Sequence, residues 1–92
     1  MKEFTRDELS DLLLDTFDFP QNEIDATIEQ LLNMSETGKS ALEILVTTRE
    51  LPDVEFQGLS LKDMKRQKPE YSDVALIIIF DGFVRGSSEI RQ

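Results

Sequence analysis

The sequence predicts a mainly α fold, a small bundle of four to five short helices. Three observations carry that expectation. Apolar residues recur at helical spacing through successive segments, and capping residues stand where those segments begin. Gly and Pro are few, four and three in 92 residues. With 39% hydrophobic and 32% charged residues, the composition is that of a folded chain, and the length suits one domain. Residues 1–85 are read as a single compact domain and 86–92 as a flexible C-terminal tail.

The first helix is expected over residues 6–18. Thr5 and Glu8 form a capping box, and Phe4 can staple against Leu9 across it. Leu9, Leu12, Leu13 and Phe17 then build one apolar face, and Phe19-Pro20 ends the helix because the residue before proline is pushed out of helical geometry. A second helix is expected from Glu23 to Asn33, capped by Asn22, with Ile24, Ile28, Leu31 and Leu32 as its buried stripe. The Ser35 to Gly38 stretch reads as a turn, and a third helix runs from Lys39 to Glu50 on Leu42, Leu45 and Val46, closed by Pro52. Residues 51–60 read as a loop with Val54 and Phe56 turned inward. Ser60 and Asp63 then cap a short helix through Gln67.

The last element admits two readings. Val74 to Phe80 is rich in β-branched and aromatic residues, and Asp81-Gly82 is a hairpin dipeptide. That favours an α+β alternative with a C-terminal hairpin around Val74–Arg85. Yet Pro69 suits a first helical position, Glu70 and Asp73 a first turn, and Gly82 a helix stop. A helix from Pro69 to Asp81, central and buried, is preferred because a lone hairpin is marginal.

Charge is the sharpest functional clue. Met1 to Glu36 hold ten acids against Lys2 and Arg6, whereas Thr37 to Gln92 are nearly balanced, nine acids against eight bases. Asp7, Asp11, Asp15 and Asp18, spaced 4, 4 and 3, share one stripe of the first helix opposite its leucines. Successive carboxylates fall about 4.5–6 Å apart along the axis. Like charges four apart destabilise a helix, and acids at a helix C-terminus oppose its dipole, so folding alone does not call for this placement. Glu3, Glu23, Asp25 and Glu29 enlarge the surface if the second helix lies antiparallel to the first.

Composition excludes much chemistry. Cys and His are absent, which removes thiol nucleophiles, disulfides and thiolate or imidazole metal sites. Asp15 to Pro20 lacks the alternating ligands and the glycine of a calcium loop, and no metal or cofactor is expected. Gly38-Lys39-Ser40 has the ending of a phosphate-binding loop, but position 33 is Asn and the preceding segment is amphipathic helix, so a helix start explains it. Lys62, Lys65, Arg66 and Lys68 form a basic cluster that complements a helix dipole. With net charge −9, direct binding to nucleic acid or anionic membrane is disfavoured. The acidic start lacks a signal-peptide core and no apolar run spans a bilayer, so a cytoplasmic location is expected.

The resulting expectation is a non-catalytic regulator or inhibitor whose carboxylates, Asp7, Asp11, Asp15, Asp18, Glu23, Asp25 and Glu29, meet a basic protein surface. Its sharp form is a DNA mimic that blocks a nucleic-acid-binding protein. The alternative is an assembly protein or small chaperone that self-associates, as a homodimer, through its apolar C-terminal element.

Overall fold

A computed structural model describes residues 3–90, with side chains over 3–86. Five α-helices and one two-stranded antiparallel sheet stand among the described residues, a mainly α fold as the sequence predicts. The chain falls into two compact units, Met1–Asn33 and Met34–Gln92.

In the first unit, α1 (Arg6–Asp11) opens on the predicted capping box. Thr5 Oγ1 accepts from the Glu8 N–H at 3.1 Å, and Glu8 Oε1 accepts from the Thr5 N–H at 3.0 Å. The helix then widens into a π turn over Leu12–Thr16, where Phe17 N–H reaches back five residues to the Leu12 carbonyl at 3.0 Å. Phe19 N–H closes the end on the Leu13 carbonyl at 2.8 Å, a closure one residue longer than the usual Schellman bond. Asp18 sits between them with φ 54°, in left-handed geometry. The helix therefore stops at Thr16 rather than at residue 18, and Asp18 lies beyond it.

A single 3₁₀ turn, Gln21–Glu23, leads into α2 (Ile24–Leu32). Asn22 lies inside that turn and makes no cap, so the predicted start is corrected by one residue. Ile24, Ile28 and Leu31 are buried as predicted, as are Leu9 and Leu13, but the predicted Leu32 is only half-buried and Thr27 is buried instead. Helix α2 packs against α1.

The second unit begins with α3 (Glu36–Thr48). It starts three residues before the predicted Lys39, because Ser35 is its cap and Gly38 belongs to its first turn. It ends at Thr48 rather than Glu50, since Arg49 adopts φ 64° and returns its N–H to the Leu45 carbonyl at 2.8 Å. The predicted loop contains a hairpin, β1 (Glu55–Phe56) with β2 (Leu59–Ser60), paired Glu55 to Ser60 and Phe56 to Leu59. Gln57 and Gly58, at φ 51° and 86°, form its two-residue turn with both central angles positive, the geometry of a type I′ turn. Ser60 Oγ then caps α4 (Leu61–Gln67) by accepting from the Asp63 N–H at 3.0 Å, as predicted.

Helix α5 (Asp73–Ile90) settles the ambiguous segment as helix and excludes the C-terminal hairpin. Its first turn is held by Ser72 Oγ, which accepts from the Ala75 N–H at 3.1 Å, so Pro69 precedes it. Gly82 does not stop it. The backbone of 86–90, read from the sequence as the start of a tail, continues the helix, and residues 91–92 lie outside the described residues. Burial explains why β-branched residues are helical here. Val74, Ile77, Phe80, Asp81 and Val84 recur at spacings of three and four and are buried, and α5 packs on both α3 and α4. Tertiary packing of that stripe outweighs local propensity.

One buried carboxylate joins α3 to α5. Asp81 is fully buried, and its Oδ1 accepts from both the Ser35 N–H at 2.8 Å and the Ser35 hydroxyl at 2.6 Å. Arg85 Nε stands 2.9 Å from Oδ2 as an ion pair, although no hydrogen bond is made to that oxygen. In a local capping box the N–H of the cap is accepted by a Glu or Gln three residues later. Three residues after Ser35 is Gly38, which has no side chain to offer. Asp81 fills that role from another helix, and it needs the space. A Cβ on Gly38 would lie 2.7 Å from Asp81 Oδ1 and 2.9 Å from Met34 Sδ.

Candidate functional site

The candidate surface belongs to the first unit, whose 33 residues hold nine acids and two bases. Asp7 and Asp11 ride on α1, Asp15 on the π turn, Asp18 on the left-handed turn beyond it, Glu23 on the 3₁₀ turn, and Asp25 and Glu29 on α2. All seven side chains are exposed. Arg6 pairs with Glu29, joining the start of α1 to α2. That pair consumes the one described cation of the unit. Asp7, Asp11, Asp15, Asp18, Glu23 and Asp25 make no ion pair among the described residues.

The π turn alters the predicted ladder in two ways. In a regular helix, positions four apart drift by about 40° around the axis. A turn closed by i→i+5 bonds holds more residues, so each rotates less and Asp15 no longer keeps the regular-helix offset from Asp11. The same widening ends the helix before residue 18, so Asp18 leaves the stripe and projects from a loop. The ladder is three carboxylates on α1 and its π turn with a fourth on the turn beyond, rather than four on one helix.

Two features of the second unit bear on function. Two of the four residues of the basic cluster are matched within its own chain. Lys65 Nζ pairs with Asp73 at 3.3 Å and donates to the Tyr71 carbonyl at 2.7 Å, while Arg66 pairs with Asp63 at 2.7 Å. The other is apolar. Phe83 is 39% exposed, and its ring meets Phe56 edge-on at 6.1 Å. Ile79, one turn earlier, is 47% exposed, and the space beside Gly82 and Gly86 is open. Ala75, Ile79, Gly82, Phe83 and Gly86 thus give α5 an uncharged outer face. Alternation of Gly with large apolar residues after Phe80 was the available sign, since Gly82 and Gly86 fall three and seven residues after Ile79.

Sequence reasoning also missed Asp81 as the buried acceptor for α3. Its signal was a lone acid inside an otherwise apolar run that resumes at Phe83-Val84. The carboxylate is occupied by Ser35 and Arg85, and its role is structural.

Among the described residues no group of three acids converges to hold a metal ion, and no helix is long and apolar enough to cross a membrane. No protein-family model, no curated protein and no solved structure matches the chain.

Proposed function

We propose that the protein is a non-catalytic regulator or inhibitor, acting in the cytoplasm without a cofactor, that docks its first unit on a basic protein surface. In the sharp form that surface is where a nucleic-acid-binding protein holds phosphates, and the carboxylates stand in for them. One observation carries the reading: six of the seven candidate carboxylates make no ion pair among the described residues, and the described cation of their unit, Arg6, is spent on the seventh, Glu29. Such an array favours fast, salt-sensitive association with a positive patch. Asp7, Asp11 and Asp15 supply its helical part, Asp18 the turn beyond, and Glu23, Asp25 and Glu29 the flank.

The test is capture of partners from the source cell at low salt, followed by elution with rising salt. The Asp11→Asn/Asp15→Asn double variant should bind that partner at least tenfold more weakly while unfolding no earlier than the parent protein. Equal affinity in the double variant overturns the reading.

A second reading, self-association as a homodimer through the apolar C-terminal element, is favoured by the exposed Ile79 and Phe83 on α5. Contiguous exposed apolar surface marks interfaces more often than it marks free solvent-facing helix. Sedimentation separates the two. A dimer that persists in high salt and is lost in Phe83→Glu supports self-association, whereas a monomer at every concentration supports the acidic surface.

A further inference from the structure

We draw no further inference here: the strongest candidate, the open groove beside α4 walled by Glu50, Leu51, Lys62, Lys65 and Arg66, sets three cations against Glu50 and the Asp63 and Asp73 carboxylates that already pair with Arg66 and Lys65, so nothing in the structure shows what would fill it.

Discussion

Moving the carboxylate that closes α3 from residue 81 to residue 38 tests the link between α3 and α5 directly. Asp81→Ala removes the acceptor of two hydrogen bonds, at 2.8 and 2.6 Å, and leaves the Ser35 N–H without its partner. Hydrogen bonds to a charged group contribute about 1.5–3 kcal/mol each, so the loss should be about 3–5 kcal/mol. That is a large part of the roughly 5–14 kcal/mol expected for a chain of this length. Gly38→Glu alone should also destabilise, by about 2–3 kcal/mol, because its Cβ arrives 2.7 Å from Asp81 Oδ1 and its carboxylate meets another. The two together behave differently. With Asp81 shortened, the carboxylate introduced by Gly38→Glu can accept the Ser35 N–H as in a local capping box. Rescue will be partial, since Cβ of residue 38 still approaches Cβ of residue 81 at 3.0 Å. The double variant should lose only about 2–3 kcal/mol, a coupling of about 3–5 kcal/mol in favour of the pair. Urea denaturation measures this, read by the emission of Tyr71, the one tyrosine in a chain without tryptophan, and by helical circular dichroism. Tyr71 lies in the second unit and so reports the unit in question. Additive losses, with the double variant as unstable as the two singles combined, would refute the claim that Asp81 replaces a missing side chain at residue 38.

Glycine to alanine should change sign along the chain. Gly82→Ala and Gly86→Ala, in open space on α5, should each raise stability by about 0.5–1 kcal/mol, whereas Gly38→Ala should lower it by about 1–3 kcal/mol; thermal melts decide. Asp18→Gly should raise the stability of the first unit by about 1 kcal/mol, by relieving left-handed strain and removing a charge from a helix end, and should weaken partner binding if Asp18 is a contact. Proteolysis or amide exchange within residues 3–33 reports the stability change, and no gain would show that the φ 54° conformation is unstrained.

Elements whose signals are local were legible in the sequence. The Thr5–Glu8 box, the Ser60 cap and the leucine periodicities needed only neighbours within one turn, and the structure has them where expected. Helix α5 was legible in type but not in extent. Gly82 resembles a stop only while its surroundings are unknown, and the buried stripe through Val84 carries the helix past it. The start of α3 was missed because Ser35 to Gly38 reads as a turn on its serine and glycine, and the acceptor that completes the Ser35 cap lies 46 residues away. The π turn was also hidden, since the chain from Leu12 to Thr16 carries no residue that marks an i→i+5 closure. For the candidate surface, the sequence named residues that are all exposed, but it placed Asp18 on a helix that ends before reaching it. The Gln57-Gly58 hairpin was readable in principle, two residues ending in glycine between Phe56 and Leu59, but two-residue strands leave no alternation to detect.

The pairing of Gly38 with Asp81 also constrains how this chain can vary over time. Residue 38 tolerates a side chain only after residue 81 has shortened, and residue 81 can shorten safely only once residue 38 can supply a side-chain acceptor. Each single step crosses a destabilised intermediate. Related chains should therefore hold glycine and aspartate together or lose both together, with Glu or Gln arriving at position 38 in those that have lost them.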